Sequence, residues 1–482
     1  MPRAALVVAL AVFLTPFAAR AQSSYRLAPV GGRTTLLGGT GVVYGQDAAA
    51  AFINPATAVL ADEGRLAFSV NFYSFSYLSA PQWHQPGPVD RARFGDVALD
   101  DAKMTDIEFN ALPSSLCLFF RAGDVPFLVG KTSESVRQRE ARLGFCFAAV
   151  QSQSWNFAAV GFSGSSNGVN TRQAQSLSQS YTRYSAGPTY AMNVNDNLAV
   201  GASLHFSFAS SRNLMTSTSR TQRGTDAPIN SFFYSASRGD AFQLTGVAGA
   251  TYAFGRQKIG IAFEPPSLHV YGQGGANRHA AADGTGTPAQ IISAEGSFSS
   301  QSPMRVSLGS GFEREWGLFE FNASYSSDLA SAYHAQLDDE AQGTHFDLSE
   351  RAQGVVNFAA GAELFLNPKV SVLGGASTDF SAVRKGALQG GLFNYYPART
   401  NRLAVSAGVA SHGAGGDLVV GTELSYAWGE RIAVNSYQAP PDFGTTDHRT
   451  YQVLFTIAGS TTLRAIRRAV DDVREVVTPK KK

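Results

Sequence analysis

The chain has 482 residues, and only 16% of them are charged, well below the roughly 25% of ordinary soluble domains. Its mean hydropathy is -0.08, and beyond the N-terminus no apolar run reaches the ~18 residues that a transmembrane helix needs. The formal net charge of +2 supplies no basic surface for nucleic acid. With 48 Gly, 33 Phe and 17 Tyr, the composition excludes a helical membrane protein and a nucleic-acid binder and favours one large β-barrel.

The N-terminal segment predicts a secretory signal peptide over residues 1–21. Arg3 supplies the positive charge, residues 4–17 are largely apolar, and Ala19-Arg20-Ala21 forms a small-x-small cleavage site. The mature chain would begin at Gln22. We therefore expect export beyond the inner membrane of a Gram-negative-type cell, with the outer membrane as destination.

The chain has two cysteines, Cys117 and Cys146. Export would carry them into an oxidising space, where they could form a disulfide. Each lies within an apolar, strand-like run, so two separate buried thiols explain the pattern equally simply. Their spacing does not decide between the two interpretations.

From residue 65 onward, segments of about ten residues alternate apolar with small or polar side chains, which is typical of transmembrane β-strands. The clearest segment is 418–428, in which one face carries Leu418, Val420, Thr422, Leu424, Tyr426 and Trp428. A soluble sandwich would show the same period. The lengths of the connections favour the membrane barrel, because short turns alternate with long polar stretches.

The short turns predicted on the periplasmic side are 195–197, 255–257, 367–369 and 413–417. The long external loops predicted on the other side are 80–106, 164–180, 210–239, 272–302, 327–352, 380–400 and 429–449. Trp155, Trp316 and Trp428 are predicted at strand ends, where interfacial aromatic girdles occur. The barrel is assigned to residues 65–459, and the pattern fits either fourteen or sixteen strands.

Residues 22–64 precede the barrel and contain a distinctive set of motifs. They combine a Gly-rich stretch, an Asp-Ala stretch and an Asn-Pro-Ala motif, with Gly38, Gly39, Gly41, Asp47, Ala48, Asn54, Pro55 and Ala56. Glycines permit positive φ and close packing in a crowded lumen. Asn54 precedes a proline, so it is expected to end a short Ala-rich helix over 47–53 and to bond its own backbone.

In these motifs the sequence resembles the FadL family of outer-membrane transporters for long-chain fatty acids and other hydrophobic compounds. The resemblance extends to later segments at 185–206, 302–313 and 358–380. It implies a fourteen-stranded transmembrane barrel, a luminal hatch formed by the motif residues, and a sideways exit near the third strand. It also implies a hydrophobic small-molecule ligand and contact with outer-membrane lipid and lipopolysaccharide.

The last residues, 460–482, depart from that family pattern. An apolar seam at helical spacing predicts an amphipathic, basic helix, stopped by Pro479. The seam consists of Leu463, Ile466, Val470, Val473 and Val477. Such a helix could dock on a periplasmic partner or pack against the floor of its own barrel.

No catalytic, metal-binding or cofactor-binding motif is present in the sequence, and we predict that the chain is not an enzyme and needs no cofactor. His205 lies between Ser203 and Ser207, but a luminal polar histidine is the simpler interpretation. Charged side chains inside a membrane barrel must face water or be paired. The charges predicted to face inward and to bind the hatch or stabilise the wall are Glu264, Arg305, Glu320, Glu363 and Glu423.

Two functions fit this sequence. The first is passive uptake of hydrophobic small molecules, such as long-chain fatty acids, gated by the N-terminal hatch. The alternative is a FadL-like barrel that acts as a secretion or surface-assembly subunit. An aromatic-lined luminal cavity would favour transport, whereas a filled lumen would favour assembly.

Overall fold

A computed structural model describes residues 30–61, 65–80, 103–106, 113–121, 141–164, 169–283, 289–383, 399–413, 416–434 and 443–462. The predicted signal peptide at 1–21 and the apolar seam from Leu463 to Val477 lie outside these residues. Among the described residues, no helix is both long and apolar enough to cross a membrane.

The described chain is dominated by antiparallel β-strands, which form one sheet of 19 segments. In chain order they are β1 Arg65–Ser79, β2 Lys103–Asp106, β3 Pro113–Arg121, β4 Ala141–Gly164, β5 Val169–Asn193, β6 Leu198–Arg223, β7 Ile229–Phe254, β8 Gln257–Glu264, β9 Leu268–Ala282, β10 Gln290–Ser300, β11 Arg305–Arg314, β12 Gly317–Ser326, β13 Leu329–Asp339, β14 Thr344–Ala352, β15 Val355–Asn367, β16 Val370–Asp379, β17 Arg399–Gly413, β18 Gly416–Val434 and β19 Phe443–Thr462.

These segments form a closed barrel of fourteen strands. Five pairs of consecutive segments each continue one line of the wall: β2 with β3, β8 with β9, β10 with β11, β12 with β13, and β14 with β15. The barrel closes where β1 pairs with β19, from Arg65↔Thr462 to Ser79↔Arg449. The strand count implied by the family resemblance is therefore confirmed, and sixteen is excluded.

The predicted alternation is confirmed, because apolar side chains along each strand point outward. On β18, Leu418, Val420 and Leu424 are each about half exposed, whereas the intervening Val419 and Glu423 are buried. The apolar face runs over eleven residues, from 418 to 428, and these ten steps of ~3.3 Å at a tilt of ~40° span ~25 Å. That height matches the apolar band of outer-membrane barrels.

Several of the predicted external loops are instead strand. Residues 169–193, 198–223 and 229–254 are continuous strands, and most of 272–302 and 327–352 is also strand. These stretches carry hydroxyl side chains on both faces, so they show no hydrophobic period in the sequence. The hydroxyls pair across strands, as between Ser219 Oγ and Ser231 Oγ at 2.5 Å. The wall therefore rises well beyond the apolar band on the side of β4 to β14.

Four neighbouring strands of the wall are interrupted at the same height, where β8, β11, β12 and β15 each end. The residues at these four ends pair side by side in one row across the sheet: Glu264, Arg305, Ser326 and Val355. Pro265 and Pro266 interrupt the first of them, because proline cannot donate to the ladder. Above this row the outward side chains of β13 turn polar, with Gln336 and Asp338 exposed. The interruptions therefore lie where the apolar outer face of this wall strand ends.

The tryptophan prediction is only partly right. Trp316 lies in the turn between β11 and β12 and is 55% exposed. Residues 155 and 428 lie inside β4 and β18, because both strands continue above the apolar band. Trp428 still marks the upper edge of that band, where it stacks on Tyr426 with ring centroids 5.5 Å apart.

Three short helical segments fill part of the lumen: α1 Gly32–Leu36, α2 Ala49–Ile53 and a 3-10 helix, Pro55–Leu60. We call residues 30–61 the hatch. Its apolar side chains are nearly all buried, with Leu36, Val43 and Ala49 at 0% exposure. The hatch therefore forms a core with the inner face of the wall.

Candidate functional site: the hatch and the luminal chamber

The Asn54-Pro55 step turns the hatch from α2 into the 3-10 helix. Asn54 has extended backbone angles, φ -148° and ψ 101°, and its side-chain oxygen accepts the amide N–H of Ala56 at 3.1 Å. Its side-chain nitrogen donates to the carbonyl oxygen of Val42 at 2.6 Å. The helix break and local hydrogen bond expected from the sequence are therefore present.

Asp47 joins the two α-helical segments of the hatch, α1 and α2. Its carboxylate accepts the backbone N–H of Thr34 at 3.0 Å and the Thr34 hydroxyl at 2.9 Å. The same carboxylate accepts the N–H of Ala49 at 2.9 Å, so α2 begins at Ala49 and not at residue 47 as the sequence suggested.

The hatch glycines occupy positions that other residues would strain. Gly38, Gly39 and Gly41 have φ values of 71°, 81° and 141°. A Cβ on Gly38 would lie 2.6 Å from the backbone nitrogen of Ala376 in β16. The glycine-rich stretch thus lets the hatch backbone lie directly against the wall.

Glu320 on β12 holds the middle of the hatch. Its carboxylate, on a residue only 3% exposed, accepts the backbone N–H groups of Gly41, Val43 and Tyr44 at 2.9, 2.9 and 3.1 Å. A carboxylate that accepts three backbone donors is a strong, charge-assisted anchor. The sequence pointed to Glu320 as an inward charge but could not identify its partners.

Glu363 on β15 holds α1 through Arg33. The Arg33 Nε donates to the Glu363 carboxylate at 2.9 Å, a second guanidinium nitrogen also donates to it, and Glu363 is fully buried. Ser371 donates its hydroxyl to the same carboxylate at 2.6 Å. Two of the five predicted inward charges, Glu320 and Glu363, therefore bind the hatch.

Sequence reasoning missed a Ser–His–Asp arrangement behind Glu363. Ser371 Oγ is 2.9 Å from His412 Nε2, and His412 Nδ1 is 3.4 Å from Asp417 Oδ1. Ser371 lies 41 residues before His412, and only His412 and Asp417 are near each other in sequence, so no spacing signal could reveal the arrangement. Ser371 has no exposed surface and donates to Glu363, so no substrate can reach it. The arrangement orients Glu363.

The other predicted inward charges pair within the wall. Arg305 donates to Glu264, and Arg402 donates to Glu423, with every side chain less than one-fifth exposed. His205 is 2% exposed, and its ring stacks on Phe52 of the hatch with centroids 4.5 Å apart. His205 therefore packs against α2.

The two cysteines form a disulfide between β3 and β4, with Cα atoms 4.2 Å apart. Both are fully buried and pack against the Ala-rich helix α2. The sequence left open whether the two cysteines pair or remain separate thiols, and in the structure they pair.

Tyr44 lies beside the two turns that join β7 to β8 and β11 to β12. Its ring lies 5.1 Å below the ammonium of Lys258, and its hydroxyl is buried with no hydrogen-bond partner among the described residues. Burial, followed by the nearby carboxylates of Glu313 and Glu320, raises the pKa of the Tyr44 phenol. The phenol therefore stays neutral and acts as a packing group against the wall.

A chamber lies above the hatch. It contains about 1070 Å³ of space free of protein atoms, part of it open to solvent. Its lining is mainly hydroxyl, amide and charged, including Ser307, Asn322, Thr378, Arg402 and Glu423, with Val42 and Ile53 of the hatch as an apolar floor. The lumen is therefore neither filled nor aromatic-lined. Within the described residues, no group of three His, Cys, Asp or Glu side chains could hold a metal ion.

Several solved FadL-like barrels share this architecture. A monoaromatic hydrocarbon channel, CymD, matches with a TM-score of 0.55 at 14% identity, covering 91% of this chain and 99% of its own. A Pseudomonas aeruginosa FadL homologue matches with a TM-score of 0.56 at 13% identity, covering 91% and 100%. The chain has the FadL-family fold.

A third FadL-like barrel, the toluene transporter TodX of Pseudomonas putida, matches with a TM-score of 0.56 at 14% identity, covering 90% of this chain and 98% of its own. No protein-family model and no curated protein sequence matches the chain. At these identities the FadL-like resemblance establishes the fold, and the function must be argued from the site.

Proposed function

We propose that the chain is an outer-membrane barrel for passive uptake of hydrophobic small molecules, long-chain fatty acids or similar compounds, gated by its hatch. The observation that carries the proposal is the anchoring of a luminal hatch by Glu320, beneath an open chamber. The names of the similar barrels, which include a hydrocarbon channel and a toluene transporter, support a hydrophobic solute.

In the proposed mechanism a solute enters the chamber from outside and leaves when the hatch shifts. The hydrogen bonds from the backbone N–H groups of Gly41, Val43 and Tyr44 to Glu320 must then break, because they hold the hatch in place beneath the chamber. The family resemblance implies a sideways exit near the third wall strand. That strand is β4, and its pairing with β5 shifts register between Ala149 and Gln151. A β-bulge of this kind bends a strand locally, and the proposed exit lies beside it.

Glu320→Gln tests the gate. The amide keeps the size of the side chain but removes its charge. The hydrogen bonds that the side chain accepts from the three backbone N–H groups therefore weaken, and the hatch opens more often. Single-channel conductance in planar bilayers should rise several-fold. Glu423→Gln is the matched control, because Glu423 pairs with Arg402 in the wall. Equal conductance in Glu320→Gln and Glu423→Gln would refute hatch gating.

Uptake tests the transport role against the assembly alternative. A strain lacking the protein should lose growth or uptake on members of a panel of fatty acids, alkanes and aromatic hydrocarbons, and the wild-type gene should restore it. A strain that takes up the whole panel normally but fails to display a surface protein would favour the secretion or assembly subunit.

A further inference from the structure

A second, smaller pocket lies beside the hatch, between Phe52 and the inner faces of β5 to β8. It contains about 560 Å³ of space free of protein atoms, part of it open to solvent. The stacked pair of Phe52 and His205 forms its floor. Its roof is a contact across the lumen, in which β5 reaches the end of β10. There Tyr181 Oη lies 2.9 Å from Ser300 Oγ, and Arg183 donates to Ser302. The pocket is therefore short along the barrel axis.

The charges that line this pocket do not balance. Two guanidinium groups, of Arg183 and Arg305, face one carboxylate, that of Glu264. Glu264 is already engaged by Arg305. Arg183 is only 6% exposed, and its partners are the hydroxyls of Ser302 and Tyr181. No described carboxylate lies within ion-pair distance of it. A buried cation without a counter-charge is costly, so a bound anion would stabilise the site.

Two buried nitrogen atoms at this pocket also lack partners. Arg183 Nε and His205 Nε2 make no hydrogen bond with any described residue, although both residues are less than one-tenth exposed. Hydroxyls continue the polar surface, because Ser207 Oγ lies 2.7 Å from Ser185 Oγ and 3.1 Å from Thr245 Oγ1. The main chamber differs, because there Arg305 and Arg402 each have a carboxylate partner.

We propose that this pocket binds a compact organic monoanion, with its carboxylate on Arg183 and its body against Phe52 and Val247. The inference rests on the proposed transport function and narrows it to a solute with one negative charge and a short body. Arg183 supplies the charge-assisted bonds, and the unpartnered His205 nitrogen and the hydroxyls complete the recognition of the anionic end. The low roof and the hatch floor exclude a long chain from the pocket itself.

Benzoate and benzamide are matched probes, because they share a ring but differ in charge. We expect calorimetry on the purified barrel in detergent to show benzoate binding at least tenfold tighter than benzamide. Arg183→Met should weaken benzoate binding at least tenfold and leave benzamide unchanged, and Arg183→Lys should restore part of the loss. Arg212→Met is the control, because that guanidinium pairs with Asp240 and is about half exposed.

The pocket assignment is wrong if Arg183→Met binds benzoate like the wild type, or if benzamide binds as tightly as benzoate. If Arg183→Met weakens the binding of palmitate as much as that of benzoate, the claim that the pocket selects a short-bodied anion is wrong. Tyr181→Phe should weaken benzoate modestly, through loss of the hydrogen bond that orients Arg183, and gives a milder variant if Arg183→Met fails to assemble. Failure of hatch gating in Glu320→Gln, with benzoate binding intact, would reject the uptake proposal while leaving the anion pocket.

Discussion

On the side of β5, β6 and β7 the hatch meets the wall mainly through backbone packing, whereas on the side of β12 and β15 buried carboxylates hold it in addition to such packing. A Cβ on Gly201 of β6 would lie 2.5 Å from the carbonyl carbon of Pro55. On the other side, Glu320 and Glu363 accept hydrogen bonds from the hatch backbone and from Arg33. On the first side, steric contact with the wall keeps the hatch in place. On the second side, hydrogen bonds to the buried carboxylates keep it in place. The carboxylate side is therefore the side where a small chemical change can release the hatch.

The largest expected effect comes from the packing side. Gly201→Val would place a branched side chain where hatch backbone now lies, and overpacking of this kind costs ~1–3 kcal/mol or more. The hatch should be displaced, and conductance should approach that of a barrel lacking residues 30–61. Gly374→Val is the control, because a Cβ there has its nearest neighbour at 3.7 Å. Unchanged conductance in Gly201→Val would show that the hatch is not held by packing on this side.

On the carboxylate side, Arg33→Met should act almost as strongly. The change leaves Glu363 fully buried without its guanidinium partner, but Ser371 and His412 still contact the carboxylate, so the loss should stay below the ~3–5 kcal/mol of a completely broken buried pair. Hatch opening, measured as conductance and as protease cleavage within residues 30–61, should rise at least tenfold. The double variant Arg33→Met with Glu363→Gln should recover part of the loss, because no unpaired charge remains. Additive losses in the double variant would mean that the pair contributes nothing specific.

The disulfide tests whether wall stability and hatch docking are separate. Cys117 and Cys146 are 29 residues apart, and the chain-entropy model assigns such a cross-link ~3.5 kcal/mol. The measured loss of stability should be smaller than this value, because the backbone pairing of β3 with β4 remains. Cys117→Ser with Cys146→Ser should lower the temperature at which the folded band disappears on detergent gels by several degrees, with conductance unchanged. A large conductance change would instead make the disulfide part of the hatch support.

The smallest expected effect concerns the turn between the hatch helices. Asn54→Ala removes a side-chain cap, which typically costs ~1 kcal/mol, and frees the carbonyl of Val42. Conductance should rise about twofold or less, well below the effect of Arg33→Met. Asn54→Asp is the matched variant, because it keeps the acceptor for Ala56. An effect of Asn54→Ala larger than that of Arg33→Met would reverse the ranking of local and long-range hatch contacts.

The barrel, its outward-facing apolar side chains and the turn at Asn54-Pro55 were predictable from the sequence, because these depend on a two-residue period and on local backbone chemistry. The sequence could not reveal the tall polar strands, because hydroxyl side chains on both faces leave no hydrophobic period, as in 210–223. Nor could it connect Glu320 to Gly41, or Ser371 to His412, which lie 279 and 41 residues apart. Only closure of the barrel brings these groups together. The pairing of the cysteines, and the lack of a carboxylate beside Arg183 among the described residues, likewise depend on the register of neighbouring strands, which no spacing in the chain encodes.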